Sequence, residues 1–458
     1  MIKNLKNIMV LTLVGLSLSS CNIYSKYQRS DEDTAQVDSL YRFITSTEDT
    51  TTIATLPWRE LFTDSHLQSL ISYALENNND LGVVRLSVEQ AEVALRTSRL
   101  AFIPTVALQP QGTYTSYAGS DVMTYNISVA TSWEADIFGR LRNAKQASAA
   151  ALESSRAYAQ AVQTSLIASV ADCYYSLLML DEQLSISQET LETWSDNIRV
   201  LNALKEAGLT NQTAVLQAQA NKVALEASVL TIEQQIYDLE GTLSILVGLA
   251  PSAIVRGELS NTSFPEQFSV GLPMALLSNR PDVRQAEYNL KQQFYNTNAA
   301  RSALYPSLTL SGTFGFTNSG GVVLNPGDWL TNVVASLVQP LFSGGALRGQ
   351  LEIAELAQQQ TVLQFRQILL SAGQEVNSAM SEWQSARGRL ALISSQVDLL
   401  GEAVRSSELL MKHSSSNYLE VLTAQFTLLQ AQLSYASAQF DEIQGVISLY
   451  RSLGGGVY

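Results

Sequence analysis

Few side chains in this sequence are equipped for covalent or acid–base chemistry. The 458 residues hold two cysteines, Cys21 and Cys173, and two histidines, His66 and His413. Two histidines form no zinc-type ligand cluster, and two cysteines form no disulfide framework. The phosphate-cradling Gly-x-x-x-x-Gly-Lys-Ser/Thr pattern, the Gly-x-Ser-x-Gly elbow and His-Glu-x-x-His do not occur. Nothing therefore favours an enzyme, and no cofactor or metal is expected. Two groups remain that spacing singles out. One is the Cys21 thiol at the end of an N-terminal segment. The other is the Glu420 carboxylate in SSSNYLEVLTAQ, Ser414 to Gln425. Cys173, in VADCYYSLLML, is expected to be a packed thiol, because free cysteine is among the most buried residue types.

The segment before Cys21 carries Lys3 and Lys6, an apolar run from Ile8 to Leu18, then small residues. That order is a secretory signal. The apolar run falls short of the ~20 residues that a membrane-spanning helix needs. Its end, Leu18-Ser19-Ser20-Cys21, resembles the lipobox of bacterial lipoproteins. The resemblance implies cleavage before Cys21, a diacylglycerol on its thiol and an acyl chain on its new amino group. At ~0.8 kcal/mol per buried methylene, several chains anchor firmly. The polar stretch that follows reads as a tether.

Behind these groups stands an unusual frame. Charged residues make up only 15% of the chain, against ~25% in average soluble proteins. The net charge of -14 argues against a nucleic-acid partner, since phosphate binding needs Lys/Arg patches. No proline occurs between Pro110 and Pro251, or after Pro340. From Leu141 to about Ala207 the pattern is helical over roughly 67 residues, ~100 Å of helix. Leu347 to Lys412 repeats that length. Period-two alternation marks strands from Tyr125 to Trp133 and from Ser307 to Thr317. One face is mostly oily (Leu308, Leu310, Phe314, Phe316) and the other mostly Ser and Thr. An outer-membrane barrel wall alternates in this way, as does a half-buried soluble sheet. Trp133 and Trp329 are candidate interface anchors. Trp58, Trp194 and Trp383 read as packing residues.

The frame is duplicated. RLAFIPTVAL aligns with RSALYPSLTL, so Arg99 matches Arg301 and Pro104 matches Pro306. ADIFGRLRNA aligns with QPLFSGGALRGQ, and AVLQAQ with EVLTAQ. The expected layout is a signal at 1–20 and a tether at 21–55. The first repeat takes 56–250, with strands near 103–135. A connector follows at 251–273. The second repeat takes 274–453, with strands near 306–341, and a glycine-rich, flexible tail takes 454–458. Pro104 and Pro306 mark the passage from helix into strand, because the residue before proline avoids helical angles. Gly139, Gly344 and Gly345 mark the return from strand into helix, where glycine tolerates the bend. Gly208 and its counterpart Ser414 read as a break or C-cap between long helices. About four strands per chain cannot close a membrane sheet, and barrels start near ~8 strands. Three chains would supply about twelve, enough to enclose a pore.

In order along the chain, LPWRELFTDSHLQSLISYALENNNDL, SWEADIFGRLRNA, LLSNRPDVRQAE, ARSALYPSLTLSG and QPLFSGGALRGQ resemble the outer-membrane efflux factor family. The likeness extends from about Leu56 to Arg451 and is nearest to the lipoprotein branch that serves resistance–nodulation–division pumps. It implies a mainly α chain with a membrane β portion, assembled as a homotrimer. Its β-barrel would sit among outer-membrane lipid and continue as a long periplasmic α-helical barrel. A periplasmic adaptor (membrane fusion) protein and an inner-membrane resistance–nodulation–division pump would dock at the inner end. Function would be that of a passive exit duct.

The family pinches that end with acidic residues, and Glu420 falls where an acidic residue is common. Three copies would form a carboxylate ring that attracts cations. Thr423 sits where many members carry a second Asp, so Leu419 and Leu422 become candidates for an apolar seal. Two other readings stand beside this one: a type I-like protein secretion duct and a non-transporting periplasmic coiled-coil lipoprotein. The lipobox tilts against the first, and the alternating strands and paired junctions tilt against the second.

Overall fold

A computed structural model of the chain describes residues 25–29, 40, 56–262, 264, 280–317, 328–412 and 418–456. Cys21, His413 and Ser414 lie outside them. The described elements repeat one motif. In the first repeat, α1 (Trp58–Leu61), α2 (Ser65–Asn77) and α3 (Asn79–Leu100) lead into β1 (Thr105–Tyr117) and β2 (Ser120–Ala135), then α4 (Arg140–Glu206) and α5 (Gln212–Val247). In the second, α6 (Pro281–Ser302) leads into β3 (Ser307–Thr317) and β4 (Asp328–Val338), then α7 (Ala346–Lys412) and α8 (Tyr418–Ser452). Both α4 and α7 are 67 residues long, ~100 Å each at 1.5 Å per residue. Among the described residues no helix is long and apolar enough to cross a membrane.

The chain forms two compact units. The first takes Leu86–Arg156 and Gln285–Gln367 with residues 25–29 of the tether. The second takes Gln36–Arg85, Ala157–Arg284 and Ile368–Tyr458.

The first unit holds a four-stranded sheet in the order β1-β2-β3-β4, antiparallel throughout. The β1–β2 hairpin turns on Ala118 and Gly119, both with positive φ, the two-residue turn that matches strand twist. Register places apolar residues side by side. Leu108 faces Val129, Val129 faces Phe314, Trp133 faces Leu310, and Phe316 faces Trp329. The Trp329 ring lies 5.0 Å from Phe314 and 4.4 Å from Phe316. This face is exposed at Val106, Leu108, Phe314, Trp329, Val333 and Leu337. Trp133 has a partner within the chain. It is half-buried, and its indole N–H donates to the Phe102 carbonyl at 2.9 Å, tying β2 to the α3–β1 passage.

The second unit is built on an aromatic core. Phe62 lies 6.5 Å from Tyr175 and 6.1 Å from Tyr450, and all three are fully buried. Trp58, Trp194 and Trp383 are buried too. Helix ends carry their own stop signals. Gly248, with φ 85, closes α5 as Leu249 N–H donates to the Ser244 carbonyl, the Schellman pattern. Gly208 ends α4 in the same way, with Leu209 N–H donating to Leu204. The C-terminal glycines depart from the flexible tail expected of them. Gly454, Gly455 and Gly456 are buried. Thr164 and Gln163 donate to the carbonyls of Gly455 and Gly456 at 2.8 Å and 3.2 Å. Having no side chain, Gly455 lies flat against the Tyr450 ring.

Candidate functional site

Three places concentrate the residues that spacing singled out. The first is the pair of strand–helix junctions. Pro104 and Pro306 each stand immediately before the first residue of a strand. Gly139 (φ 77), Gly344 (φ 61) and Gly345 (φ 84) occupy left-handed backbone where the chain re-enters a helix. The first junction is pinned by charge. Asp136 accepts from the N–H groups of Leu141 and Arg142, both at 2.9 Å, capping α4. Glu134 takes Arg140 in a two-pronged pair at 2.9 and 2.5 Å. A carboxylate three residues before a junction glycine is a cap signal that the sequence carries in plain view.

The second place is where α4 ends, α5 starts, α7 ends and α8 starts. Leu201, Val215, Ala218 and Leu422 form a buried cluster, with Ile198, Ala214 and Met411 packed on it. Leu422 is 4% exposed. Its side chain belongs to this core and cannot line an opening, which corrects its place among the seal candidates. Leu419, Glu420 and Thr423 are exposed, and Thr423 neighbours both of the others, at i+4 from Leu419 and i+3 from Glu420. Glu420 also lies in the first turn of α8, where the helix dipole favours a negative charge. Sequence reasoning missed Gln425, which is buried. It accepts from Asn197 at 2.9 Å and donates to Glu408 at 3.1 Å, joining α4, α8 and α7.

The third place is the start of the connector, which docks. Arg256 bonds both oxygens of Asp181, at 2.5 and 2.8 Å, and Glu240 at 2.5 Å. Gly257 N–H donates to the Tyr174 hydroxyl at 3.0 Å, and that hydroxyl donates to Asp64 at 2.6 Å. Asp64 in turn caps α2. Hydrogen bonding to Asp181, opposed by burial, raises the Arg256 pKa, so this cation persists at every working pH. Cys173 is half-buried, and burial together with Asp172 pushes its thiol up.

Asp172 is a titratable group that sequence reasoning passed over. One of its carboxylate oxygens is buried with no hydrogen-bond partner. Burial pushes its carboxyl from 3.8 up to about 6, with Arg451 pulling the other way. The folded chain therefore keeps this proton to a higher pH than the unfolded chain does. Stability falls as pH rises from 3.8 to about 6 and stays lowered above. Asp172→Asn is expected to raise the melting temperature at about pH 8 and leave it unchanged near pH 4. Equal shifts at both pH values would remove Asp172 as the cause.

The profile of the outer membrane efflux protein family matches residues 70–249 and 272–455. The chain belongs to the outer membrane efflux protein family. The two matches fall one on each half of the chain. The cation efflux system protein CusC of Escherichia coli O6:H1 is 27% identical over 454 residues, covering 97% of each chain. The probable outer membrane lipoprotein SilC of Salmonella typhimurium is 28% identical over 408 residues, covering 87% of this chain and 88% of that one. The structure is similar to that of the outer-membrane channel OprN, with a TM-score of 0.86 at 25% identity over 95% of this chain and 99% of that one. As an outer membrane efflux protein, it is the outer-membrane channel component of an efflux system.

Proposed function

We propose that three copies form a passive exit duct through the outer membrane and across the periplasm. The observation that carries this reading is the four-stranded sheet. It has one continuous exposed apolar face, and neither edge strand pairs further among the described residues. In hydrocarbon each unpaired N–H or C=O costs several kcal/mol, so the edges β1 and β4 must find partners. About twelve strands from three chains would close a wall, with the 67-residue helices continuing it. A periplasmic adaptor and an inner-membrane resistance–nodulation–division pump would supply cargo and energy.

We further propose that Cys21 is lipidated. The tether supports this. Tyr27 lies against Phe294 at 5.7 Å, Arg29 pairs with Glu287, and Ser25 accepts from Asn298 at 3.3 Å. The chain thus runs back along α6 towards its strand end. Four residues of extended chain span at most ~14 Å, so an anchor at Cys21 would sit near the start of the sheet. Native mass in mild detergent tests both proposals. A trimer with lipid on each chain is expected, and Cys21→Ala should lose all incorporated palmitate while remaining trimeric. A monomer would sink the duct. A trimer that never carries lipid would sink the anchor.

For the inner end the candidates are Leu419, Glu420 and Thr423. Glu420→Ala is expected to weaken the cation selectivity of conductance in planar bilayers. Unchanged conductance and selectivity would leave Glu420 as only a favourable first-turn charge on α8.

A further inference from the structure

The two repeats make the same junction, but only the first is seated within its own chain. Phe138 stacks on Tyr305 at 5.2 Å, 23° from parallel. Its carbonyl accepts from Ser302 at 2.9 Å. Tyr305 and Ser302 belong to the α6–β3 passage of the second repeat, so junction one rests on passage two. The strands beside it agree, since β2 of the first repeat pairs with β3 of the second.

Among the described residues the second junction has no such seat. Phe342, the counterpart of Phe138, is 90% exposed, and its neighbour Leu341 is 94% exposed. Pro340 stands where the first junction has its capping Asp136. Its flanking strand β4 is an edge. By the Arg99–Arg301 and Pro104–Pro306 equivalence, Ser302 corresponds to Leu100 and Tyr305 to Ile103. Leu100 and Ile103 are exposed as well, beside the other edge, β1. The chain therefore carries one filled copy of a contact and the two unfilled halves of a second.

We infer that Phe342 of one copy packs on the Leu100–Ile103 turn of the next copy, where β4 meets the neighbour's β1. The occupant of this apolar face is a second copy of this chain, because the filled contact inside the chain is its template. Tyr305 is replaced by Ile103, so an aromatic–aliphatic contact stands in for a ring stack. The two exposed halves sit at opposite edges of one sheet. The contact is therefore head-to-tail, and repeating it from copy to copy closes a ring. This inference rests on the trimeric duct proposed above.

The test is cross-linking of the full-length protein in outer membranes, in a Cys173→Ser background. The double variant Ile103→Cys with Phe342→Cys is treated with a short bifunctional maleimide. Both positions are exposed in the single chain, so the substitutions leave its core intact. Phe138→Cys with Tyr305→Cys reports the template contact, and it should link within one chain and run at monomer mass. The expected result is that most of the Ile103→Cys, Phe342→Cys protein becomes a covalent trimer, while either single variant gives none. A native trimer in which the template pair links and the pair at positions 103 and 342 does not would overturn the inference and leave the duct standing. In that case, quenching by nitroxide lipids of a bimane attached to the Phe342→Cys variant would assign this face to lipid. A native monomer would overturn the inference and the duct together.

Discussion

Gly315→Val should disrupt pairing between the two repeats, with a loss of about 3 kcal/mol. Gly315 sits in β3 opposite Ser128 of β2. A Cβ there would lie 2.2 Å from the Ile127 carbonyl oxygen and 2.5 Å from the Ser128 Cα. These are backbone atoms, so no rotamer change relieves the clash and the strands must part. Among the described residues the β2–β3 ladder is the only sheet contact between the repeats, and of the glycines in these strands Gly315 makes the closest approach to a neighbouring backbone. The control is Gly112→Val in β1, where a Cβ meets nothing within 4 Å. Surface substitutions of that kind stay within about 0.5 kcal/mol. Thermal loss of the β signal in circular dichroism of the detergent-solubilised protein measures both. Equal behaviour of the two variants would show that the β2–β3 approach is not a packing limit.

Arg256→Ala should cost about 3–5 kcal/mol, the range for removing one partner of a buried ion pair. The Arg256 side chain is 14% exposed and Glu240 15%, so Glu240 would keep its charge without its main partner. Asp181 is 35% exposed and recovers some hydration, which places the expectation near the lower end. Because the folded-state pKa of Arg256 is raised, its contribution is fully present below the unfolded value and is lost only at extreme alkaline pH. The penalty should therefore be flat between about pH 5 and 9, unlike the Asp172 effect. Adding Asp181→Asn and Glu240→Gln should restore more than half of the lost stability, since the stranded charges go with them. Chemical denaturation of the purified protein reads both. A triple variant no better than Arg256→Ala would mean that lost packing, not stranded charge, sets the cost.

The family and the repeat frame are readable from sequence because their signals are local. Alternation of period two needs only neighbouring residues, and a proline-free run of 67 residues shows a long helix without knowledge of its partners. The junctions are readable for the same reason, since proline and glycine act on their own backbone angles. Leu422 is harder. Helix α8 has apolar residues on more than one side, and a periodic pattern cannot say which side meets α4 and α5.

Residue type and spacing over a few turns of chain are enough for the N-terminal secretory pattern, the duplication, the alternation of strand and helix and the positions where one becomes the other. Which distant groups meet is settled only by the packed fold. Arg256 finds Asp181 across 75 positions, Thr164 holds Gly455 across 291, and Phe138 reaches Ser302 across 164. These contacts depend on how long helices pack, and a single sequence contains no local trace of that packing. The same physics left Phe342 exposed and Phe138 seated. Equivalent residues in equivalent repeats differ because one has a partner within the chain, and the other must find its partner on another copy.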